Sequence, residues 1–233
     1  MKKKFSLSML LTAVAMVLII AFGVKTEAKA ADYYYDTRSD NGDAGQAVRY
    51  AITSYDDKTC QVVGCSSSAT KITISGSPTL NGETYTCTSI ASSAFKNNTK
   101  LKEVKISAGA TSITSIPKQC FQGCTNLTTV NIENTKIKTI GAKAFYNCKK
   151  LTSVTINSTK LTTINTKAFY NCKKLTSLSI KSTKLTKSNI GAKAFTNVSN
   201  LKVYGNTKAY AKKLAKWIAA RGGSVATYAK ISS

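Results

Sequence analysis

The 233-residue chain contains no histidine, and histidine is the side chain that most often serves as a general base or a metal ligand. Carboxylates are also scarce, and from residue 58 onward the chain contains only Glu83, Glu103 and Glu133. The last two stand at different distances from the preceding leucine, so they form no carboxylate pair of the glycosidase type. A Cys-x-x-Cys zinc motif and a glycine-rich phosphate loop are missing as well. We therefore expect no catalytic site, no metal site and no cofactor.

Acidic residues are absent from the sequence after Glu133. The 100 residues that follow contain 19 lysines and one arginine, which gives this stretch a charge of +20. Such a concentration of one sign favours contact with a polyanion or an acidic surface, because the charges otherwise repel one another. The alternative is a solvated exterior that keeps the protein soluble, and the composition leaves both open.

Residues 1–30 have the three parts of a secretory signal peptide. Three lysines stand near the start, an apolar run covers residues 9–24, and the small-residue sequence Ala28-Lys29-Ala30 follows. An uncleaved membrane anchor is the alternative, but the Ala-Lys-Ala sequence favours cleavage. No second apolar run of spanning length follows. We expect a secreted or cell-surface-associated protein with no stable membrane span after signal cleavage.

The strongest signal in the sequence is an internal repeat of 24 to 26 residues. Each copy has a phenylalanine, an isoleucine five residues before it and a leucine six residues after it. The five phenylalanines are Phe95, Phe121, Phe145, Phe169 and Phe195. Apolar residues such as Val154 and Ile156 alternate with polar ones after each leucine, which indicates one short strand per copy. One copy cannot bury its apolar side chains alone, so the copies are expected to stack as a solenoid.

Residues 148–169, CKKLTSVTINSTKLTTINTKAF, resemble the unit of the BspA-type (Treponema-type) leucine-rich repeat family. The resemblance covers about residues 85–230, although Asn98 and Val198 replace the repeat cysteine. It implies a secreted or surface protein of the adhesin kind, which contacts host proteins or other cells. The fold class that we predict is a leucine-rich repeat solenoid of about five coils of 24–26 residues. It has a short parallel β-sheet on one face, a small β-hairpin amino-terminal cap and a carboxy-terminal capping helix.

The segments that flank the repeats are predicted to be a lead-in and two caps. The predicted domains are a signal peptide (1–30), a flexible lead-in (31–46), a β-rich amino-terminal cap (47–86), the leucine-rich repeats (87–205) and a carboxy-terminal cap with a basic helix (206–233). Asn81-Gly82 signals a tight hairpin in the first cap. Thr207 can begin the helix, which we expect to cover the last coil, with a membrane-surface helix as the alternative.

Seven cysteines in an exported chain permit disulfides without requiring them. Cys124, Cys148 and Cys172 each stand three residues after a repeat phenylalanine, so stacking places them in one column about 5 Å apart. That separation would allow disulfides between coils. The same position also suits a small buried apolar residue, and we favour inert core thiols. Cys60 and Cys65 are near in sequence and could pair with each other.

The repeat also aligns polar side chains into candidate binding surfaces. Three lysine columns are candidate polyanion contacts: the first is Lys136, Lys160 and Lys184, the second is Lys143, Lys167 and Lys193, and the third is Lys150 and Lys174. Outward strand positions form a hydroxyl-rich face that suits protein, glycan or polyanion contact better than catalysis. The candidate contacts on this face are Thr152, Ser153, Thr155, Asn157, Thr176, Ser177 and Ser179.

Two hypotheses for function follow from these features. The first is a non-catalytic binding module for adhesion, or for protein or glycan interaction at the cell surface, which rests on fold-level analogy and names no ligand. The alternative is electrostatic binding to an anionic cell-wall polymer, which retains the protein at the envelope and depends strongly on salt. The lack of histidine and the few acids disfavour a secreted hydrolase. The charge also suits nucleic acid, but the signal peptide argues against that partner.

Overall fold

Each sequence repeat folds into one turn of a solenoid, as the period predicts. The structure is a computed structural model that describes residues 33–35 and 48–232. The predicted signal peptide and most of the predicted lead-in lie outside the described residues. In chain order the strands are β1 (Tyr33–Tyr35), β2 (Val48–Ser54), β3 (Thr59–Cys65), β4 (Lys71–Ile74), β5 (Thr79–Leu80), β6 (Glu83–Thr84), β7 (Thr86–Ile90), β8 (Glu103–Ile106), β9 (Ser115–Ile116), β10 (Thr129–Ile132), β11 (Thr139–Ile140), β12 (Ser153–Ile156), β13 (Thr163–Ile164), β14 (Ser177–Ile180), β15 (Val198–Gly205) and β16 (Gly223–Lys230).

A parallel sheet of seven strands, the main sheet, forms one side of the solenoid. Its order is β4, β8, β10, β12, β14, β15 and β16. Neighbouring coils pair in register, so that Val154 lies beside its equivalent Val130 and Ile156 lies beside Ile132. These apolar residues are buried, whereas the residues between them face outward. The period-two alternation in the sequence therefore predicted the inward and outward positions of these strands.

A second side of the solenoid carries a smaller sheet that the sequence analysis did not predict. This side sheet consists of β9, β11 and β13, which have two residues each. Its inward residues are the isoleucines that precede each phenylalanine, and Ile190 extends the row by a single bridge to Ile164. The last repeat, from Phe169 to Phe195, is two residues longer than the one before it. The 3₁₀ turn Lys187–Asn189 lies in this longer repeat and leads into that bridge.

The third side of each coil is a turn whose phenylalanine packs inside the solenoid. The five repeat phenylalanines are buried and form a continuous stack. Neighbouring ring centroids lie 5.0 to 5.3 Å apart, and the interplanar angles are 14° or less. Stacked aromatic pairs contribute about 0.5–1.5 kcal/mol each beyond their buried area. The stack therefore fixes the spacing of the coils as well as filling the core.

The amino-terminal residues form a four-stranded cap sheet with the order β1, β2, β3 and β7. The predicted hairpin joins β5 to β6, and Asn81 (φ 51°) and Gly82 (φ 83°) adopt the left-handed backbone that a two-residue turn requires. Strand β4, which the sequence analysis placed with this cap, is instead the first strand of the main sheet. It supplies the inward pair Ile72 and Ile74, but its coil lacks the phenylalanine that defines the period.

The carboxy-terminal residues contain the predicted helix, α1 (Lys208–Ala219). Thr207 begins the helix, because its hydroxyl accepts a hydrogen bond from the Tyr210 backbone N–H at 3.1 Å. The buried face packs against β15 and β16. After Gly222 the chain turns back as β16, a strand that the sequence analysis did not predict. With β4 and β16 included, the solenoid has about seven turns, not five. No helix in the described ranges is long and apolar enough to cross a membrane.

Replacing Phe145 with alanine tests whether the aromatic stack stabilises the solenoid. Phe145 is fully buried between Phe121 and Phe169, so its removal leaves a cavity and takes one stacking neighbour from each of these two rings. We expect a loss of about 3–5 kcal/mol in the free energy of unfolding, measured by urea denaturation followed by circular dichroism. The exposed change Lys160→Ala should alter this free energy by less than about 0.5 kcal/mol. Equal effects of the two substitutions would contradict this role of the stack.

Candidate functional site

The outer face of the main sheet consists of two rows of side chains that continue from coil to coil. The rows cross β10, β12 and β14, and register pairs place equivalent residues side by side. The first row is Thr129, Ser153 and Ser177, and the second is Asn131, Thr155 and Ser179. All six side chains are short. The face is therefore flat, and the buried residues between the rows hold its backbone in place.

The hydroxyl groups on this face differ in whether the protein already uses them. Thr152 and Thr176 stand just before the strands, and their hydroxyls donate to main-chain carbonyl oxygens of the preceding coil at 3.0 and 3.5 Å. Across the described ranges, the side chains that follow them in the strands have no hydrogen-bond partner. We call these residues the hydroxyl patch: Ser153, Thr155, Ser177 and Ser179. Asn157 continues the face beyond the end of β12.

Charged residues border the hydroxyl patch along the main sheet. On its amino-terminal side two ion pairs cross between coils, Lys71–Glu103 at 3.2 Å and Lys105–Glu133 at 3.0 Å. On its carboxy-terminal side Lys202 is the register partner of Ser177. The patch is thus a neutral, hydrogen-bonding area within an otherwise charged face.

The first lysine column lies at the corner between the main sheet and the side sheet. A buried polar residue stands two positions before each of its lysines; these residues are Asn134, Ser158 and Ser182. The Ser158 hydroxyl donates to the Ile137 carbonyl oxygen at 2.6 Å and accepts from the Lys160 backbone N–H at 3.1 Å. The three lysines themselves are exposed. The corner is therefore fixed by an internal hydrogen bond, and its charge points into solvent.

The second lysine column lies on the turn side, in an unusual backbone conformation. Lys143, Lys167 and Lys193 have φ values of 55°, 56° and 56°. This left-handed region disfavours residues with a Cβ, and glycine or asparagine adopts it at lower cost. The chain uses Asn147 and Asn171 for the other left-handed position of the same turns. Backbone geometry alone therefore gives no reason for lysine in this column.

Aromatic and amide side chains accompany the second column. The rings of Tyr146 and Tyr170 stack with centroids 5.1 Å apart. The Nζ atoms of Lys143 and Lys167 each lie 6.0 Å from the ring centroid in their own coil, at the outer limit of a cation–π contact. Asn171 donates a side-chain hydrogen bond to Asn147 at 2.7 Å. We call this group the turn ridge: Lys143, Tyr146, Asn147, Lys167, Tyr170 and Asn171.

The third column, Lys150 and Lys174, is exposed at the end of the turn, just before the chain enters the main sheet. The three columns therefore occupy three separate places around the coil. Among the residues that the structure describes, the ion pairs are Lys58–Glu83, Lys71–Glu103 and Lys105–Glu133. None of these uses a lysine from the columns, so their charge is not neutralised within this part of the chain.

The cysteines of the repeat are buried thiols bonded to the backbone. Cys124 and Cys148 donate to the carbonyl oxygens of Phe95 and Phe121, both at 3.0 Å. Burial raises the pKa of the Cys124 thiol to about 12 and that of Cys148 well above its ordinary value. Burial therefore disfavours the thiolate, which is the nucleophile, and this supports the inert core thiols that the sequence analysis favoured.

The pairing of Cys60 with Cys65 that the sequence allowed is wrong. Both residues lie in β3, five positions apart along one extended strand. At about 3.3 Å per residue their Cα atoms are about 16 Å apart, far beyond the reach of a disulfide. Nearness in sequence was misleading because the segment is extended.

The described part of the chain offers few concave surfaces lined by catalytic or metal-binding side chains. An open depression of ≈ 500 Å³ lies between α1 and β16, and its lining includes Lys212, Lys216 and Tyr228 but no carboxylate. No group of three or more histidine, cysteine or carboxylate side chains in the described ranges is arranged to hold a metal ion. The flat and convex surfaces are therefore the better candidates for contact.

Sequence reasoning missed the turn ridge and the buried polar residues of the corners. A signal for the ridge was present, because KAFYNCKKL occurs twice without change, at 143–151 and 167–175. The corner residues Asn134, Ser158 and Ser182 also recur at intervals of 24 residues. Their burial was harder to foresee, because serine and asparagine usually mark exposed turns.

Replacing Ser158 with alanine tests the hydrogen bonds that fix the first column. The change leaves the Lys160 backbone N–H and the Ile137 carbonyl oxygen without their partner. We expect a loss of about 1–3 kcal/mol in the free energy of unfolding, measured by chemical denaturation. The neighbouring exposed change Thr159→Ala serves as the control and should have little effect. An equally small effect of Ser158→Ala would show that water replaces the hydroxyl.

The comparisons with known proteins agree with this architecture. A family model described as a BspA type leucine rich repeat region matches residues 88–209 in six copies, just over half of the chain. The T. pallidum leucine-rich repeat protein is 20% identical, with a TM-score of 0.55 over 67% of this chain and 68% of that one. A leucine-rich cell surface protein from Faecalibacterium prausnitzii is 21% identical, with a TM-score of 0.50 over 86% of this chain and 55% of that one. These identities establish likeness of fold. No curated protein matches the chain significantly.

Proposed function

The chain belongs to the BspA-type leucine-rich repeat family, and we propose that it is an exported, non-catalytic binding module that contacts a protein or glycan at the cell surface. The repeat architecture supports a role in binding. Export rests on the signal peptide predicted over residues 1–30, and the F. prausnitzii protein of similar fold is described as a cell surface protein. Adhesion is the biological role that this combination suits.

The observation that carries this proposal is the hydroxyl patch. Its four side chains stand in register on a backbone held by the buried residues beneath them. A partner that binds here meets a surface that needs little ordering, which lowers the entropic cost of association. Unpaired hydroxyls both donate and accept, so they can match amide groups or sugar hydroxyls equally well. The flat shape suits a macromolecular partner better than a small substrate.

The double substitution Ser153→Tyr with Ser177→Tyr tests the hydroxyl patch as a contact surface. Tyrosine suits outward strand positions, so the fold should be retained, but two bulky rings would prevent close approach of a partner. We expect at least about a tenfold loss of binding to intact bacterial cells at physiological salt, which corresponds to about 1.4 kcal/mol. Flow cytometry of the labelled protein measures this loss.

A matched control lies on the side sheet. Thr139 and Thr163 are register partners, and they are half-buried like the two serines. Their double change to tyrosine adds the same bulk to a different side of the solenoid, and it should leave binding unchanged. Equal binding by the serine and threonine variants would remove the hydroxyl patch from the contact surface.

A second candidate function is retention at the envelope by an anionic cell-wall polymer. The specific observation in its favour is that the eight column lysines have no acidic partner in the described part of the chain. Within this proposal the turn ridge is the preferred contact. Its lysines occupy a backbone conformation that other residues adopt more easily, and stacked tyrosines and paired asparagines order the surface around them.

Two triple substitutions of equal charge test this candidate. One changes Lys143, Lys167 and Lys193 to glutamine, and the other changes Lys136, Lys160 and Lys184. A lysine near an anionic surface contributes about 1 kcal/mol, so we expect the first variant to bind purified wall polymer about a hundredfold more weakly. The second variant should lose less, and sedimentation with the polymer measures both.

The salt dependence separates the two candidate functions. Screening shortens the Debye length to about 10 Å at 0.1 M salt, so binding through the columns should collapse between low and moderate salt. Binding through the neutral hydroxyl patch should persist. Equal losses by both triple variants would attribute retention to net charge instead of the second lysine column, which includes both lysines of the turn ridge. Binding that is indifferent to salt would contradict electrostatic retention altogether.

A further inference from the structure

Two buried cysteines face each other across neighbouring strands of the cap sheet. Cys60 in β3 is the register partner of Cys87 in β7, and the two strands run parallel. Both side chains are fully buried. Neighbouring strands lie about 4.8 Å apart, within the range of about 4.4–6.8 Å that Cα atoms span in disulfides. A shift of register follows immediately after this pair, as at a β-bulge.

The surroundings of this pair differ from those of the other buried cysteines. In the repeat, the protons of Cys124, Cys148 and Cys172 are each donated to a main-chain carbonyl oxygen. The Cys60 and Cys87 thiols are hydrogen-bonded to each other, and this contact lowers the pKa of Cys87 although burial opposes it. The Cys87 thiol also donates to the Ser89 carbonyl oxygen, but at 3.6 Å this contact is longer than the 3.0 to 3.1 Å contacts in the repeat. The thiolate therefore forms more readily at Cys87 than at the cysteines of the repeat. The Cys60 sulfur, with which it would form the disulfide, is already its neighbour.

The remaining cysteines are not placed as alternatives to this pair. Cys65 lies at the far end of β3, and its sulfur accepts a hydrogen bond from the Asn98 side chain at 3.2 Å. Cys120 is fully buried, and burial raises its pKa well above the ordinary value. Cys65 is the register partner of Val48, and Cys120 lies outside the strands.

We propose that Cys60 and Cys87 form a disulfide that fastens the β2–β3 hairpin to β7, which leads into the repeats. The oxidant is a disulfide, either that of an exported thiol–disulfide oxidoreductase or that of glutathione. The Cys87 thiolate attacks it to form a mixed disulfide, and the Cys60 thiolate then displaces the second sulfur. Two thiols of the chain are oxidised, and the donor disulfide is reduced to two thiols that take up the two protons. Because both residues are buried, the bond forms while the cap folds.

Refolding the full chain in a glutathione redox buffer tests the proposal. The chain is denatured and reduced, refolded with oxidised and reduced glutathione, and then alkylated in denaturant for peptide mapping. We expect one cross-linked pair of peptides, containing Cys60 and Cys87, and five alkylated cysteines. The bond closes a loop of 28 residues, so the oxidised protein should unfold about 10 °C above the reduced protein.

Single serine variants distinguish a specific bond from non-specific oxidation. C60S and C87S should each abolish the cross-link and the difference in Tm between oxidised and reduced protein, whereas C120S should keep both. If a serine variant fails to fold, the comparison of oxidised with reduced unaltered protein still tests the bond. Seven alkylated cysteines after refolding in the oxidising buffer, or a cross-link between any other pair, would overturn the proposal. This test is independent of the proposed binding function.

Discussion

Stacking of each coil on the next is the interaction on which the rest of this structure depends. A single coil contributes one phenylalanine, two strand residues and a few further apolar side chains, and these are buried only when a neighbour covers them. The phenylalanine rings lie 5.0 to 5.3 Å apart, close to the spacing of strands in a parallel sheet. The stack of phenylalanine rings and the hydrogen-bonded strands of the main sheet therefore share one repeat distance. Neither has to be distorted to fit the other. Stability in such an array comes mainly from contacts between neighbours.

The same register determines what the surface can present. Whatever stands at one outward position is repeated about every 5 Å, so a single serine becomes a row and a single lysine becomes a column. This multiplication explains how a chain without histidine and with few acids builds distinct surfaces from short polar residues. The hydroxyl patch, the first column and the turn ridge occupy different sides of one coil. A partner that is itself repetitive, or one with a flat surface, matches such rows better than a small molecule does.

Much of the fold could be predicted from the sequence, because the period and the alternation report burial directly. Val154, Ile156 and Phe145 are buried where the pattern predicts them, and α1 begins at its predicted cap. What escaped prediction is the part that carries no repeat signature. β4 and β16 join the main sheet through backbone pairing, and their coils lack the anchoring phenylalanine. Similarly, Thr152 and Ser153 are both outward-facing hydroxyl residues in the sequence-based prediction. Only the structure shows that the Thr152 hydroxyl already donates a hydrogen bond to a carbonyl oxygen.

The energies involved show that charge repulsion alone does not imply a ligand for the lysine columns. Neighbouring lysines about 5 Å apart repel by up to ~0.8 kcal/mol in water, and salt reduces this further. Burial of one large apolar side chain contributes about 1.5–3 kcal/mol, so the core of each coil outweighs the repulsion on its surface. The columns are therefore tolerated without any ligand, and their existence alone is weak evidence of binding. Lys143, Lys167 and Lys193 are different, because each also adopts a left-handed backbone conformation in which asparagine would be less strained. Two independent costs at one position, repeated in three coils, support the proposed contact of the second column with an anionic polymer. Lysine at any unstrained exposed position would serve solubility equally well.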